Sequence, residues 1–459
     1  MSSQTAIRGK VFRDPVHELI RVDPEDSFVL NLMDTPEFQR LRRVRQLGVS
    51  ALTYPGAEHS RFSHSLGVFN FAQRMLAILR ARYHRSSTAT DLLDQNAKAV
   101  KAAALLHDVG HSPFSHMAER AFGMRGRHER KTIELVTSNG SIREILADHK
   151  IDPENVANLV SGASEFRILV DIVSSQLDAD RMDYLLRDAC NTGVKYGSFD
   201  SEWLLSSLVI GTEPNTTAPG NVYDWRLCLD ERRGLHSAEQ FIIARMHMSL
   251  QVYFHHATRG WEAHLLCLFR EAATLAEKNE LPESTPHLAR EFFRTKGKVE
   301  PALFLQLDEA TILCALQQWT FAEKNPRLRD LAASFLSRRK MFHCFELPRS
   351  DYRTAIQLSG ALKDIGNEEY DWLLDSSDLV TYEDFDSMFR GSKRTPAEVS
   401  TTAILLADGV LAAAARPVES DSIMLRAMGD NPIEAINRLY CHQDIVEPVK
   451  KLLVALGVL

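Results

Sequence analysis

The dipeptide His107-Asp108 closes an apolar run, Leu105-Leu106, and opens the loop Val109-Gly110-His111-Ser112-Pro113. An apolar helix delivers two adjacent ligands at its C-terminal end here, where a glycine lets the backbone turn away. Imidazole beside carboxylate suits Mn, Fe, Ni, Zn or Mg, and two of each favour a borderline transition metal. With 17 histidines in the chain, roughly one His-Asp pair is expected by chance, so the setting carries the argument. Arg61-Phe62-Ser63-His64 adds a histidine at a helix start, with an arginine one turn before it. Asp180, Tyr184 and Asp188 then recur at i, i+4 and i+8 and share one helix face, opposite Met182, Leu185, Leu186 and Ala189. A solvated polar face explains that spacing as well as a cleft does. Coordination positions left open in such a cluster take water and a phosphate oxygen, which is the chemistry of metal-assisted hydrolysis.

The elements that must position these groups read mainly as helices. Asp34-Thr35-Pro36-Glu37 is a helix start. Phe38, Leu41, Val44 and Leu47 follow at helical spacing, and Gly48 ends the run. A second helix is expected from about Ser65, burying Leu66, Phe69, Ala72, Met75 and Leu79. A third runs from about Asn96 into His107-Asp108. Ser141 with Glu144 makes a capping box, and Ile172 to Ala189 continues as helix. Strands are few: Lys10 to Arg13 with Glu18 to Val22 as a hairpin, and Val222 to Leu229. Gly211 to Asn221 reads as a loop, and a soft boundary lies near 275–300. The expected fold is mainly α, with small β-hairpin elements and a mostly helical C-terminal lobe. The expected domains are a catalytic core over 1–275 and that lobe over 276–459, packed on the core.

Composition narrows the class. With 459 residues, 44% hydrophobic and 25% charged, the chain is ordinary globular protein. A net charge of −7 argues against a nucleic-acid coat protein, so nucleic acid is not an indicated partner. Six scattered cysteines without C-x-x-C suggest neither disulfides nor a zinc-thiolate site and fit a reducing cytosol. No apolar leader opens the sequence, and Ala403 to Ala415 is too short and too interrupted to span a bilayer. A cytoplasmic protein with no membrane partner is expected. The acceptor pattern Asn215-Thr216-Thr217 carries no meaning without secretion.

Arg61-x-x-His64-Ser65, His107-Asp108-x-Gly110-His111-x-Pro113-Phe114-Ser115-His116 and Asp178-x-Asp180-x-x-Asp183-Tyr184 with Asp188 resemble the HD-superfamily deoxynucleoside triphosphate triphosphohydrolases. Phe12-Arg13-Asp14-Pro15-Val16-His17 and the run Asp34 to Arg42 are similar too. The likeness, nearest to the vertebrate SAM- and HD-domain enzyme and its bacterial counterparts, is strong over 10–260 and diffuse beyond. No SAM-type domain is expected before the core.

The resemblance implies His64, His107, Asp108 and Asp180 as ligands of a divalent metal ion. It implies Arg61, Arg181 and Arg245 as the triphosphate grip, since guanidinium binds phosphate in bidentate fashion; relatives often carry lysine where Arg181 stands. His116 matches a proton donor to the leaving 5′-oxygen, with His111 and His128 in support and Glu119 orienting His116. Gln46, Leu47, Tyr253 and Asp188 match the sugar subsite, and Tyr184 shares its helix face. The glutamine and aspartate would bond the 3′-hydroxyl, while the leucine and tyrosine would crowd a 2′-hydroxyl. Arg245 and Tyr253 lie eight apart on one predicted helix. Lys10, Asp34, Gln39 and Arg42 match a guanine nucleotide activator site that the family builds between subunits, implying a dimer or tetramer. His59, His84, His149 and His247 are read as ordinary surface or core histidines.

The expected function is therefore hydrolysis of a deoxynucleotide substrate to deoxynucleoside and inorganic triphosphate. Two readings compete with it. One is another HD phosphohydrolase: a single-strand nuclease, a nucleotide phosphatase or an alarmone hydrolase. The alarmone enzymes carry an acidic pair shortly after the His-Asp, and Val109-Gly110-His111-Ser112 stands there instead. The other is a catalytically inactive nucleotide-binding regulator, against which the full set of ligands and His116 counts.

Overall fold

The chain opens with an antiparallel hairpin, β1 (Lys10–Asp14) and β2 (Glu18–Val22), as the alternation predicts. The Asp14 carboxylate accepts from the backbone N–H groups of Val16 and His17 and so shapes the turn. Two short helices follow, α1 (Ser27–Met33) and α2 (Pro36–Arg40). Thr35 caps α2, its hydroxyl accepting from Phe38 N–H.

The helix expected to run on to Gly48 stops at Arg40 and passes through a 3-10 turn, Leu41–Arg43, into extended chain at Val44. Tertiary pairing overrides the periodicity here. Arg61 N–H donates to Val44 C=O, Gln46 N–H donates to His59 C=O, and Arg45 bridges Ser60. A continued helix would carry Gln46 and Leu47 away from the centre they face.

The centre is built by α3 (Arg61–Tyr83) and α4 (Ser87–Leu106), packed side by side. The first begins four residues before Ser65, so Arg61 and His64 both lie in its first turn; the second begins at Ser87, well before Asn96. All five apolar positions named for α3 are buried. Short helices α5 (Ser115–Ala121), α6 (Arg127–Thr137), α7 (Ser141–Asp148), α8 (Pro153–Val160) and α9 (Arg167–Val173) follow, of which α8 and α9 pack on α4, and α6 and α7 pack on α8. The capping box at Ser141 does not form: Gly140 is the cap residue, and the Ser141 hydroxyl donates to Glu37 instead.

The helix expected over Ile172 to Ala189 is two. α9 ends at Val173, and α10 (Ala179–Thr192) restarts with Asp178 as N-cap and left-handed Gly193 closing it. After α11 (Ser201–Ser206), strand β3 (Leu208–Pro214) occupies the start of the expected Gly211 loop and pairs with β4 (Tyr223–Asp230). Helix α12 (Leu235–Met248) then runs into a π-helical turn, Ser249–Tyr253, and α13 (His256–Glu277) follows.

The remainder supplies α14 (His287–Arg294), α15 (Pro301–Phe304), α16 (Glu309–Trp319) and α17 (Pro326–Leu336). Beyond them β5 (Phe342–Leu347), β6 (Trp372–Ser377) and β10 (Ile436–His442) form a sheet in the order β5-β10-β6. Short strands β7 (Leu405–Ala407), β8 (Ala413–Ala414) and β9 (Arg416–Pro417) join β3 and β4. One hydrophobic cluster extends from Ile20 to Tyr440, and a smaller one gathers around Trp372 and Leu439.

The chain is thus mainly helical with small sheets. The computed structural model describes residues 9–83, 87–124, 126–214, 223–347, 352–368, 370–377, 404–430 and 436–459. His84, the 215–217 acceptor pattern and the rest of the expected loop to 221 lie outside them. Among the described residues no helix is long and apolar enough to cross a membrane.

Candidate active site and metal centre

The starts of α3 and α10 and the end of α4 bring His64, His107 and Asp180 together. His64 Nε2 lies 2.9 Å from Asp180 Oδ1, and His107 Nε2 lies 3.7 Å from the same oxygen. Donors about 2.1 Å from a shared cation stand roughly 3 Å apart, so this cluster fits one divalent ion with little movement. A second observation agrees. The Nε2 of His107 is buried with no hydrogen-bond partner, while its Nδ1 is held by Ala104 C=O at 2.9 Å. An imidazole tied at one nitrogen and bare at the other is oriented as a metal ligand.

Asp108 stands beside this trio, 3.5 Å from His107 Nε2 and 3.9 Å from His64 Nε2. Its two oxygens meet Arg61 Nη1 at 2.7 Å and His111 Nε2 at 3.0 Å. Burial opposes its charge, but Arg61, His107 and His111 together hold the carboxyl well below its ordinary range. For His64, burial again opposes the charged form; the hydrogen bonds with Asp180 and Asp183 outweigh it and raise the pKa to about 10. A cation taken by this ring displaces a proton.

Behind His64 lies a buried hub to which the sequence reading assigned no part. Asp183 accepts from His64 Nδ1 at 2.8 Å, His17 Nε2 at 2.7 Å and Arg187 Nε at 2.7 Å. Arg187 continues to Asp14 at 2.8 Å, which ties the hairpin turn to the metal ligand. Gly67 makes the approach feasible: a Cβ there would lie 1.7 Å from Asp183 Oδ1. No periodicity connects residues 14, 17 and 183, so only the fold discloses the hub.

The loop after Asp108 is held from below. Thr132 Oγ1 accepts from Gly110 N–H and donates to His107 C=O, each at 3.0 Å. A Cβ at Gly110 would meet the His128 carbonyl at 2.1 Å, which explains the glycine. Phe114 and Ser115 both take positive φ, 52° and 31°, before His116 turns into the cavity. Such strain, of order 1–3 kcal/mol each, persists where surrounding structure enforces it.

His111 and His128 stack at 4.1 Å, and the His116 ring lies 5.4 Å and 5.3 Å from them. Burial, with Arg61 and His128 nearby, keeps His111 neutral, its pKa well below the usual value. The hydrogen bonds of Glu119 go to His128, at its backbone N–H (2.8 Å) and its Nδ1 (2.9 Å), whereas the sequence reading directed Glu119 to His116. Glu119 thus bears on His116 through the ring beside it.

One cavity of about 800 Å³ joins these groups, a volume typical of small-molecule sites. It is lined by the trio His64, His107 and Asp180, by Asp108, by His111, His116 and His128, and by Arg61, Arg181, Gln46, Leu47, Tyr184, Asp188 and Tyr253. Tyr253 donates to Asp188 at 2.8 Å, and His59 holds the other Asp188 oxygen at 2.7 Å. His59, read from sequence as an ordinary histidine, is thus the support of a cavity residue. Gln46 Oε1 is buried without a hydrogen-bond partner. Tyr184 and Tyr253 meet edge to face at 6.3 Å, and burial raises the Tyr184 pKa to about 12.

Arg181 reaches Asp178, whose own pKa burial raises to about 6. Arg245 and Glu119 do not line the cavity. Arg245 donates to Gln176, and Gln176 is the wall residue there. A π turn over Ser249–Tyr253 follows the helix that carries Arg245, and Tyr253 lines the cavity where Arg245 does not.

Residues far along the chain clamp both halves of the site. The Arg40 guanidinium, 1% exposed, donates to the carbonyls of Val109, His111 and Leu307. Glu309 accepts from Arg45 N–H at 3.1 Å, next to Gln46, and the Phe114 N–H also favours its anion. Burial nevertheless raises the Glu309 pKa to about 7. A carboxyl raised above its unfolded value contributes stability that is full below about pH 4.5 and is lost as pH rises through about 7. Glu309→Gln, which mimics the protonated acid, is therefore expected to gain on the parent by up to about 3 kcal/mol between pH 5 and pH 8. Urea melts at the two pH values check it, and a pH-independent difference would refute the assignment.

Lys10, Asp34, Gln39 and Arg42 lie away from the cavity. Lys10, Asp34 and Arg42 are exposed. Arg42 Nε donates to Gln39 at 2.9 Å, and its guanidinium lies 3.5 Å from the Phe62 ring centroid. His149 hydrogen-bonds Asn31 on the surface, and His247 meets the Tyr196 ring.

Comparison with known proteins agrees with this geometry. Residues 61–188 match the HD domain. An uncharacterized protein of Bacillus subtilis, YwfO, is 35% identical over 380 residues, covering 82% of this chain and 81% of that protein. Deoxynucleoside triphosphate triphosphohydrolase SAMHD1 of Gallus gallus is 32% identical over 282 residues, 52% of this chain and 44% of that one. The crystal structure of a phosphohydrolase from Bacteroides thetaiotaomicron superposes with a TM-score of 0.71 at 25% identity, over 95% of this chain and 100% of that chain.

Proposed function

This chain belongs to the HD-domain family of metal-dependent phosphohydrolases, and from that premise we propose that it hydrolyses deoxynucleoside triphosphates to a deoxynucleoside and inorganic triphosphate. The observation that carries the reading is the Tyr253–Asp188–His59 chain, set in the same cavity as the metal cluster, Arg61 and His116. The Tyr253 hydroxyl is already committed to Asp188, so a ribose 2′-hydroxyl beside it finds an aromatic wall and Leu47 in place of a partner. Burying an unpaired hydroxyl is costly, which selects deoxyribose. The one proton of a 3′-hydroxyl then goes to Asp188, whose oxygens keep lone pairs beyond the Tyr253 and His59 bonds, or to the partnerless Oε1 of Gln46.

A divalent cation held by His64, His107, Asp108 and Asp180 would supply an activated water and polarise a phosphate oxygen. Arg61 is anchored through Nη1 on Asp108, and its buried Nε has no partner, so it can grip a phosphate without leaving the site. Arg181 contributes a second positive charge, and Tyr184 a neutral phenol donor. Arg245 acts from behind Gln176. His116 protonates the leaving 5′-oxygen, while neutral His111 and the His128–Glu119 pair keep its surroundings from accumulating charge.

The test is incubation of the full chain with each dNTP and NTP in Mn, Mg or Fe, with products separated by ion chromatography. Deoxynucleoside plus inorganic triphosphate is expected. Pyrophosphate or monophosphate release would overturn the reaction, and equal turnover of ribonucleotides would overturn the sugar assignment. The reading extends to a guanine nucleotide activator at Lys10, Asp34, Gln39 and Arg42 between subunits of a dimer or tetramer. GTP added to a dATP assay is expected to raise both rate and assembled mass; an unchanged rate and mass removes the activator.

A further inference from the structure

We propose that His116, Glu119 and His128 form a second cation site, selective for zinc and similar transition-metal ions, whose filling switches the hydrolase off. One ligand atom from each side chain lies within 4.8 Å of the other two. His116 and Glu119 are three apart on α5 and share its face; His128 comes from the first turn of α6. Glu119 is only 8% exposed, and His128 outweighs the burial that opposes its charge, so it remains anionic at neutral pH. Two imidazoles and one carboxylate leave a fourth position for water, the donor set of an open zinc site. Tetrahedral donors about 2.1 Å from zinc stand roughly 3.4 Å apart, so the three groups need close by little more than an ångström.

Selectivity follows from the donors. Magnesium requires near-octahedral oxygen ligation and sheds water reluctantly, and this site offers one carboxylate. Zinc, cobalt and nickel accept imidazole readily. The principal cluster differs in having two carboxylates, so the two sites separate by metal type. A cation here takes the lone pair with which the His116 ring would hold a proton, and that ring can no longer serve the leaving oxygen. It also replaces the proton shared by Glu119 and His128. The switch-off rests on the hydrolase reading above, whereas the occupancy of the site does not.

The experiment counts metals on the nucleotide-free full chain after chelator dialysis. Zinc titration followed by native mass spectrometry is expected to give two ions per chain, and magnesium alone at most one. His128→Asn and Glu119→Gln should weaken the second zinc by more than the roughly 10–100-fold that loss of a supporting hydrogen bond costs, leaving the first in place. His107→Ala should lose the first and keep the second. With cobalt, the second equivalent should bring its own visible absorption bands. In assays run with saturating magnesium, zinc is expected to lower turnover as that second equivalent fills. A single zinc in the parent protein, or a second zinc indifferent to both substitutions, would overturn the site. Two bound zinc ions with undiminished turnover would overturn the switch. The parent titration decides the first question even where a variant fails to fold.

Discussion

Asp183→Ala is expected to lower stability by about 3–5 kcal/mol, the range for removing one partner of a buried ion pair. The carboxylate is fully buried among His17, His64 and Arg187. Its loss leaves the Arg187 guanidinium with Asp14 alone and frees the His64 ring to rotate. Metal affinity should fall about 10–100-fold in the same variant, the usual cost of losing the group that orients a ligand. Asp183→Asn keeps the shape and one acceptor, so it should lie between the two. Chemical denaturation and metal titration on the same preparations check both effects. A variant that melts like the parent and binds metal equally well would show that the hub orients nothing.

His107→Ala is the contrasting case. The hydrogen bond of that side chain is the local one to Ala104 C=O, and Nε2 faces the Asp108 and Asp180 carboxylates without a hydrogen bond. The expected result is a chain that melts within about 1 kcal/mol of the parent. Its turnover should fall by at least about 10³-fold, as when a principal electrostatic element of a site is removed. Circular dichroism melts and metal analysis separate the two quantities. Retained turnover with metal absent would sink the assignment of the metal centre. Together the two variants distinguish a ligand, which serves chemistry alone, from the group behind it, which serves both chemistry and fold.

The candidate metal residues are legible in the sequence through residue type at His107-Asp108 and, for the full set, through the family resemblance. His107-Asp108 closes an apolar helix as its setting predicts, whereas Asp180, expected inside one helix over Ile172 to Ala189, stands in the first turn of a separate one. Gln46 and Leu47 line the cavity, but from extended chain and a turn, not from the helix their spacing predicts. The periodicity of Phe38, Leu41, Val44 and Leu47 is genuine, yet the pairing of Val44 and Gln46 with the 59–61 segment outweighs it. The resemblance directs Glu119 to His116, three residues earlier, and its hydrogen bonds go to His128, nine residues on. His59 was dismissed because an isolated histidine has no pattern, although it supports Asp188 from 129 positions away.

What the amino-acid order determined by itself was therefore the mainly helical class, the hairpin and the His-Asp pair at the end of an apolar helix. Each follows from side-chain periodicity, capping chemistry and residue type, all readable within a dozen positions. What the tertiary structure alone decided was the supporting layer. His17 and Arg187 converge on Asp183, with Asp14 holding the far side of Arg187; Arg40 ties down the loop after Asp108; and Glu309 joins Arg45 to the turn before His116. These are contacts between segments tens to hundreds of residues apart. A buried charge finds its partner wherever packing brings one within about 3 Å, and that distance is a property of the folded chain alone.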